Sequence, residues 1–336
     1  MIKHKQISLD APDEWNNALK GIKHSYAHTR ENCYTMSLTT GYRTYLYCYE
    51  NEDTRIICPV SERDFEGYTD IVTPHGFSGF TGNKDFPDFP DHWNEFVKER
   101  KYVCGYISLN PLLRNETYFR KKEEYISTNL FFIDLNLSLT ELFENLDSNR
   151  KKQIKNYKNV ESGFIYDRNI LTEFFLNNYD DFLKRINASK ANYFSKKTLE
   201  YLCGLENVFM VGAGNREKIN AVYIFGSTAY TADCLFNVAL PEGREYSPYL
   251  LWCGVKYFKK KKIPVMNLGG GIREDDSVAL SKERFGAYKL PFVNLKQVYD
   301  KNLYDNLCRI NGTEADDMNG YFPGYRKQFN SLTVSS

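Results

Sequence analysis

The alternation of apolar and polar positions is clearest in the second half of the chain, where it predicts a regular series of helices and strands. A helix begins after Ser138, because Ser138 and Glu141 form a capping box and apolar residues follow at helical spacing. From residue 161 onward the pattern predicts strand, helix, helix, three strands, helix, strand, helix and strand. This order indicates an α/β fold, with an α+β mixed sheet that carries helices on both sides.

The first half of the chain gives a related pattern. A helix at 13–22, a hairpin at 42–60 and a strand at 68–72 are followed by one more helix and two more strands. We therefore expect two related domains in tandem, an N-terminal domain at 1–137 and a C-terminal domain at 138–336. The length agrees, since 336 residues are about twice the usual size of one domain.

Composition narrows the class of protein. Hydrophobic residues make up 42% of the chain and charged residues 26%, which is typical of a soluble globular protein and excludes a fibre or a disordered chain. A net charge of +1 argues against a nucleic-acid-binding protein that works by overall charge. No apolar run reaches the roughly 18 residues of a membrane span, and the N-terminus lacks the apolar core of a signal peptide. We therefore expect a cytoplasmic protein with no membrane span.

The spacing of cysteines and histidines offers no metal motif. The eight cysteines are scattered without a CxxC pair, so reduced core thiols are expected instead of disulfides or zinc ligands. His24 and His28 have the i, i+4 spacing of a metal-binding pair on a helix, but no HExxH glutamate accompanies them. We expect both histidines to be surface residues, and we expect no metal.

Three motifs occur in the order found in one known family. They are DIVTPHGFSGF at 70–80, FFIDLNLSLTELFENLDSNRKKQIKN at 131–156 and LGGGIREDDSVALSKERFG at 268–286. The first resembles the D-I-x-T-P-Y-G-Y-x-G signature of FemAB-like proteins, and the last resembles their L-G-G-G…D-x-L…F-K-x-x-F segment. The middle motif resembles the stretch that joins their two GNAT-like halves. His75 stands where the family usually has Tyr, and Ser281 stands where it usually has Phe.

The resemblance, which spans roughly residues 40–292, implies tandem GNAT-like acyltransferase domains. FemAB relatives transfer acyl or aminoacyl groups onto amines; the peptidoglycan branch uses aminoacyl-tRNA, whereas many relatives in surface-polysaccharide pathways look like acyl-CoA-dependent transferases. We therefore expect an N-acyltransferase with acyl-CoA as donor and an amine on a sugar or sugar nucleotide as the small-molecule acceptor. The alternatives are transfer from aminoacyl-tRNA to a peptidoglycan-type acceptor, and a non-catalytic protein that keeps the fold as a scaffold. The lysines at 259–262 would bind tRNA phosphates in the first alternative, but such a run also ends many solvated helices.

The donor is expected in the C-terminal domain, in a cleft where the strands at 229–238 and 264–268 separate. The turn between the first of these strands and the next helix offers unpaired amides and a helix dipole, which favour an anion such as the coenzyme A pyrophosphate. An ordinary strand-to-helix loop with a capping serine is the alternative. The predicted cofactor-binding residues are Gly243, Arg244, Glu245, Tyr246 and Ser247.

Lys282 matches the lysine of the family's F-K motif, and the resemblance implies a catalytic role. An ammonium there binds phosphate or stabilises the oxyanion of acyl transfer, with a solvated helix lysine as the alternative. Asp70 and His75 are the other predicted catalytic residues; Asp70 would hold an acceptor ammonium or hydroxyl, and His75 would accept a proton near neutral pH. The predicted substrate-binding residues are Thr73, Phe77, Gly269, Gly270 and Arg273.

Overall fold

The structure is a computed structural model, and it describes residues 3–214, 218–271 and 276–327. Within these ranges the α-helices are α1 (Pro12–Leu19), α2 (Arg30–Thr40), α3 (Phe89–Glu99), α4 (Leu139–Glu144), α5 (Ser148–Lys155), α6 (Tyr157–Glu161), α7 (Arg168–Arg185), α8 (Lys196–Gly204), α9 (Ser247–Lys260), α10 (Ser277–Glu283) and α11 (Lys301–Ile310). The strands are β1 (Lys3–Ser8), β2 (Arg43–Glu50), β3 (Arg55–Phe65), β4 (Tyr68–Val72), β5 (Thr81–Gly82), β6 (Cys104–Ser108), β7 (Glu124–Asp134), β8 (Phe164–Ile165), β9 (Val208–Gly214), β10 (Ile219–Ser227), β11 (Ala232–Ala239), β12 (Val265–Gly270) and β13 (Tyr288–Val298).

The order of elements after residue 161 confirms the prediction from the apolar pattern. It runs β8, α7, α8, β9, β10, β11, α9, β12, α10 and β13. In the first half α1, the hairpin β2–β3, β4, α3 and β6 also lie where they were predicted. The prediction missed β1, which buries only Ile7, and α2, whose apolar and polar residues form no clear stripe.

The chain divides into two compact units. The first unit contains the chain up to Ser37, Gly41–Ser127 and the chain from Pro291 onward, and the second unit contains Leu38–Thr40 and Thr128–Leu290. These units differ from the consecutive segments 1–137 and 138–336 expected from the sequence. The reason is that the chain after Leu290 belongs again to the first unit.

The strands of the first unit follow the order β1-β2-β3-β4-β6-β13, with β5 paired to β3. Neighbours from β1 to β4 are antiparallel, whereas β4 and β6 are parallel and share only two residue pairs, Ile71↔Gly105 and Val72↔Tyr106. The part of β13 in this unit runs antiparallel to β6, from Asn294↔Ser108 to Val298↔Cys104.

The second unit repeats this topology in the order β8-β9-β10-β11-β12-β7. The pairs β8–β9, β9–β10 and β10–β11 are antiparallel, and β11 and β12 form the parallel pair. The part of β7 in this unit runs antiparallel to β12. In each unit the sixth strand therefore pairs with a strand that is not its neighbour along the chain. Strand β7 follows β6 but pairs with β12, and β13 follows α10 but pairs with β6.

Each unit has its own apolar core. In the second unit α9 places Leu250, Val255 and Phe258, all fully buried, against Phe225 of β10 and Met266 of β12. Helical spacing of these residues made α9 predictable. In the first unit aromatic side chains of β2 and α3 dominate a second core. Burial of these apolar surfaces is the main favourable term in folding.

Two further expectations can be compared with the structure. All eight cysteines are free, and seven are buried while Cys234 is partly exposed, which agrees with the predicted core thiols. No helix in the described ranges has both the length and the apolar composition to cross a membrane.

Candidate functional site

The second unit contains a point where two parallel strands separate. Strands β11 and β12 pair only at Ala232↔Met266 and Asp233↔Asn267, although both continue beyond these residues. The residues at 234–237 of β11 are partly exposed, whereas those at either end of the strand are buried. The predicted separation of these two strands is therefore confirmed.

A buried polar network holds the strands at this point. The amide Nδ2 of Asn267 donates to Oδ1 of Asp233 at 3.0 Å, and the hydroxyl of Thr231 donates to the other carboxylate oxygen at 3.3 Å. The side-chain oxygen of Asn267 accepts from the backbone amide of Gly269 at 2.8 Å. Since buried polar groups that are fully bonded rigidify their surroundings, this network fixes the backbone at the end of β12.

Lys282 of α10 lies against the end of β12. Its Nζ donates to the carbonyl oxygen of Gly270 at 2.6 Å, and a Cβ added at Gly269 would lie 3.4 Å from the same nitrogen. Gly269 has φ = 75°, a conformation that glycine adopts without strain. The missing side chain of Gly269 therefore lets the ammonium approach the backbone closely, whereas a Cβ at Gly270 would lie 3.1 Å from the backbone oxygen of Asn129.

Burial controls the titration of Lys282. It lowers the pKa of the ammonium from its usual 10.5 to about 8, because desolvation outweighs the favourable effect of the nearby Cys234 and Asp276. Cys234 is the first residue of β11 beyond its pairing with β12. Gly270, whose carbonyl binds the ammonium, lies three residues beyond the last pairing of β12 with β11, so the ammonium is close to the point where the strands separate.

Arg150 of α5 is a second cation here, and the sequence analysis did not identify it. Its Nη2 donates to Oγ of Ser281 at 3.1 Å, and its guanidinium lies 5.3 Å from the ring centre of Phe285. Its Nε is buried and has no hydrogen-bond partner among the described residues. Ser281, the residue that departs from the family's usual Phe, therefore binds an arginine. The motif stretch at 131–156 contained Arg150, but sequence gave no reason to separate it from the neighbouring lysines.

Two hydroxyls extend the cluster. The side chain of Tyr223 on β10 faces Ser247 on α9, and Arg150 and Cys234 lie close enough to affect the pKa of its hydroxyl. Burial raises the pKa of Tyr223, so its hydroxyl keeps its proton at neutral pH. Burial also lowers the pKa of Arg150. For both cations of the cluster desolvation outweighs the nearby carboxylates, so a bound anion would stabilise their charged forms.

The predicted pyrophosphate turn is more regular than expected. Residues 241–246 form a 3₁₀ helix that runs directly into α9, so Ser247 is the first residue of α9 and not its cap. The amide of Gly243 donates to the carbonyl of Leu240 at 2.9 Å, and the amide of Ser247 donates to the carbonyl of Arg244. These two amides are therefore occupied, because the 3₁₀ hydrogen bonds use them. Arg244 and Glu245 are exposed, and Tyr246 is half-buried.

Gly243 has a packing role. It is buried, and a Cβ there would lie 2.0 Å from the backbone oxygen of Asn220 in β10. Of the five predicted cofactor-binding residues, Ser247 is the one that joins the cluster of Tyr223 and Arg150. Arg273, a predicted substrate-binding residue, lies outside the described residues.

Asp70, predicted to be catalytic, belongs to an ion cluster of the first unit. Its side chain is completely buried; one oxygen accepts from Nε of Arg63 at 2.6 Å, and the other accepts from Nε of Arg326 at 2.6 Å and the hydroxyl of Tyr325 at 2.9 Å. Both oxygens are engaged, so these contacts give Asp70 a structural role that joins β3, β4 and the turn at 324–326. Sequence could not show this, because Arg326 lies far away along the chain.

The loop after β4 is braced by hydrogen bonds to its backbone. Thr73 is buried, and its hydroxyl accepts from the amide of Ser108 at 3.1 Å, where β4 and β6 separate. The backbone oxygen of His75 accepts from Asn32 at 3.1 Å, and that of Phe77 accepts from Asn110 at 3.0 Å. His75 keeps exposed surface, but desolvation by the surrounding protein lowers the pKa of its imidazole, so the ring is neutral at pH 7.

His28 corrects an expectation, since it is fully buried and not at the surface. Its Nε2 donates to the carbonyl of Gly79 at 3.2 Å, and its Nδ1 accepts from the amide of Ser25 at 3.2 Å. Burial lowers its pKa to about 3. Sequence spacing suggested a helix, but residues 26–28 form a 3₁₀ turn whose histidine supports the loop after β4.

The chain was compared with known proteins, and it matches no family model and no curated protein. Solved structures with a similar fold include FemX, with a TM-score of 0.66 and 10% identity over 90% of this chain and 99% of FemX. A conserved protein of unknown function from Bacteroides thetaiotaomicron has a TM-score of 0.57 and 11% identity over 89% of this chain and all of its own. L-PGS from Bacillus licheniformis has a TM-score of 0.56 and 10% identity, over 89% of this chain and 95% of that one. Identities this low show the fold alone: the chain has the mixed α/β fold of FemX, in two compact units.

Proposed function

We propose that the protein is an N-acyltransferase that uses acyl-CoA and acts in the second unit, where β11 and β12 separate. The observation that carries this proposal is the position of Lys282. Its ammonium lies against the backbone at the end of β12, 2.6 Å from the carbonyl oxygen of Gly270, and burial lowers its pKa to about 8. A partly desolvated cation where two strands separate can stabilise the negative charge that develops on oxygen during acyl transfer.

The reaction is direct attack of the acceptor amine on the thioester carbonyl. A C–N bond forms and the C–S bond breaks; the nitrogen loses one proton, and the coenzyme A sulfur leaves as a thiolate that takes up one proton. Lys282 stabilises the oxyanion that forms in between, and no covalent enzyme intermediate is required. The neutral amine must be present, because a protonated amine has no lone pair for the attack.

The donor's phosphates belong at the start of α9 in this proposal. The amides of Gly243 and Ser247 are already bonded, so side chains carry most of the recognition: the hydroxyls of Ser247 and Tyr223 and the guanidinium of Arg150. The dipole of α9 adds a favourable field for an anion. Arg244, which is exposed beside this helix start, offers a further charged donor.

The proposal also includes the chemical class of the acceptor and the cellular location of the reaction. Resemblance of the motifs at 70–80 and 268–286 to FemAB-like transferases of surface-polysaccharide pathways supports an amine on a sugar or sugar nucleotide, and a cytoplasmic site of action. On the loop after β4, substrate binding by Thr73 and Phe77 and a catalytic role of His75 stay predictions from the resemblance. Hydrogen bonds from Asn32 and Asn110 brace the backbone of this loop, as expected for a segment that positions a substrate.

The second candidate is transfer from aminoacyl-tRNA. It is favoured by a set of exposed lysines on α5, on α6 and at the end of α9 in the second unit, namely Lys152, Lys155, Lys158, Lys260, Lys261 and Lys262. Lys259 does not belong to this set, because its Nζ donates to the carbonyl of Leu135 at 3.0 Å. Such a set can neutralise RNA phosphates. A strong decrease of tRNA affinity with salt, together with no turnover of any acyl-CoA, would favour this candidate.

The decisive experiment is a mass-spectrometric screen of acyl-CoA donors against amino sugars and amino-sugar nucleotides, followed by the variant Lys282→Ala. We expect turnover of the best pair to fall by about 10²–10³ while the melting temperature changes little. The matched control is Lys184→Ala on α7, which removes an exposed lysine that pairs with the exposed Asp181 at 3.2 Å. Equal rates for Lys282→Ala and the wild type would contradict the assigned role.

A further inference from the structure

Two histidines and a glutamate from distant parts of the sequence come together in the first unit. His4 lies on β1, and His92 and Glu95 lie one turn apart on α3. Each side chain offers one ligand atom, and these three atoms lie within 4.8 Å of one another. The Nδ1 of His92 and Oε2 of Glu95 are 3.6 Å apart, too far for a hydrogen bond.

His92 is held in place and has an unused nitrogen. Its ring stacks on Phe86 with 5.8 Å between ring centres and an angle of 4°, and it lies 5.1 Å from the ring of Tyr49. Its Nδ1 is buried and has no hydrogen-bond partner among the described residues. Buried polar atoms without a partner are rare in folded proteins, so this nitrogen needs an explanation that the described residues do not provide.

His4 is oriented in a similar way. Its Nδ1 lies 3.0 Å from the hydroxyl of Tyr47, and its ring stacks on Phe96 at 5.8 Å. A hydrogen bond to one ring nitrogen is the usual way in which proteins orient a metal-binding histidine.

We propose that His4, His92 and Glu95 bind a divalent transition-metal cation such as Zn²⁺. Two imidazole nitrogens and one carboxylate oxygen are a ligand set that zinc accepts, with water in the remaining position. Ligand atoms at about 2.1 Å from a tetrahedral zinc are about 3.4 Å apart. The 3.6 Å between His92 and Glu95 is close to that value, and the Glu95 side chain, 74% exposed, is free to turn toward the cation.

The site joins two elements that the sheet does not connect directly. Strand β1 is the last strand of the first unit's sheet and pairs with β2, whereas α3 precedes β6. A cation shared by β1 and α3 stabilises the folded first unit by its binding free energy, since the unfolded chain does not hold the three ligands together. The sequence analysis expected no metal, because it considered His24 and His28 and could not place His4 beside His92.

Calorimetric titration of the full chain with ZnCl₂ tests the proposal, with Glu95→Gln as the test variant and Glu99→Gln as the matched control. Glu99 is exposed on the same helix, and its charge also acts on His4, but it is outside the set of close ligand atoms. We expect one equivalent of Zn²⁺ to bind the wild type and Glu99→Gln alike. Glu95→Gln should bind at least about tenfold more weakly, since even loss of a group behind a ligand costs that much.

Co²⁺ provides a second measurement that does not depend on stability. Its visible absorption spectrum reports four-coordinate nitrogen and oxygen ligation, and we expect the spectrum in the wild type and its loss in His92→Gln. Circular dichroism of the metal-free His92→Gln protein shows whether the variant is folded; if it is not, His4→Gln replaces it. Absence of saturable Zn²⁺ binding in the wild type, or equal affinities of Glu95→Gln and Glu99→Gln, would overturn the proposal.

Discussion

Lys282 illustrates how one residue's surroundings determine what it can do. An exposed lysine stays charged up to about pH 10. Lys282 is partly buried beside Gly269 and Gly270, and desolvation lowers its pKa to about 8. The group is therefore an ammonium at neutral pH but loses its charge at a pH where the acceptor amine becomes more reactive.

This titration predicts a pH profile. As pH rises through about 8, the ammonium of Lys282 loses its proton, so kcat/KM for the donor–acceptor pair should fall on the alkaline side. Lys282→Arg should move this decline to higher pH, because a guanidinium stays charged, with partial loss of rate from its different shape. The profile is measured by steady-state kinetics between about pH 6 and 10. An unchanged alkaline limb in Lys282→Arg would contradict the assignment of that limb to Lys282.

His28 predicts an acid-sensitive fold. Burial lowers its pKa from 6.5 to about 3, so the unfolded chain takes up a proton as pH falls below 6.5 while the folded protein does not. The stability that the neutral ring contributes is therefore present above pH 6.5 and decreases toward pH 3, at about 1.4 kcal/mol per pH unit. Denaturant unfolding of the wild type and His28→Gln between pH 7 and 4 measures this. The variant should show the shallower dependence, and identical slopes would exclude His28 as the cause.

At the scale of single elements, the 3₁₀ helix at 241–246 requires a glycine at position 243. A Cβ at Gly243 would lie 2.0 Å from the backbone oxygen of Asn220, and backbone cannot move aside as a flexible side chain can. We expect Gly243→Ala to lower the free energy of unfolding by about 1–3 kcal/mol.

The control for this prediction is Gly204→Ala at the end of α8, where an added Cβ meets nothing within 4 Å. That change should be neutral or stabilising by about 0.5–1 kcal/mol, because alanine has the lower conformational entropy in the unfolded chain. Both values come from thermal or denaturant unfolding. Equal stability of the two variants would show that the helix start adapts to the extra carbon. A loss of donor binding in Gly243→Ala must therefore be corrected for stability before it is assigned to recognition.

For the whole molecule, the pairing of β7 with β12 and of β13 with β6 predicts which fragment of the chain folds by itself. A fragment of residues 128–290 keeps β12 beside β7 and keeps Phe131 and Ile133 in the core, so it should unfold cooperatively. A fragment of residues 138–336, the domain expected from the sequence, lacks β7 and carries a C-terminal segment that belongs to the first unit. We expect it to lack a cooperative transition in circular dichroism melts. Leu38–Thr40 is missing from both fragments, so it does not distinguish them. A sharp transition in the fragment 138–336 would contradict the assignment of β7 to the second unit and of the chain after Leu290 to the first.

The local sequence was sufficient to predict most helices and strands of the second unit. The spacing of apolar residues and the capping of helices depend on residues close together in sequence. The helical spacing of Leu250, Val255 and Phe258 therefore indicated α9 before any contact was known. The same holds for the separation of β11 and β12, which follows from the order of elements and is confirmed by their two residue pairs. Edge strand β1 was missed because it buries only Ile7 and thus carries almost no periodic signal.

Contacts between residues distant in sequence were decided by the tertiary structure alone. The partners of Asp70 include Arg326, the guanidinium of Arg150 meets Ser281, and His4 meets His92. No local pattern encodes such pairs, because they depend on strand order and on which unit each end of the chain joins. Motif matching therefore identified Lys282, whereas the buried environment that lowers its pKa, and the cation and hydroxyls around it, required the folded chain.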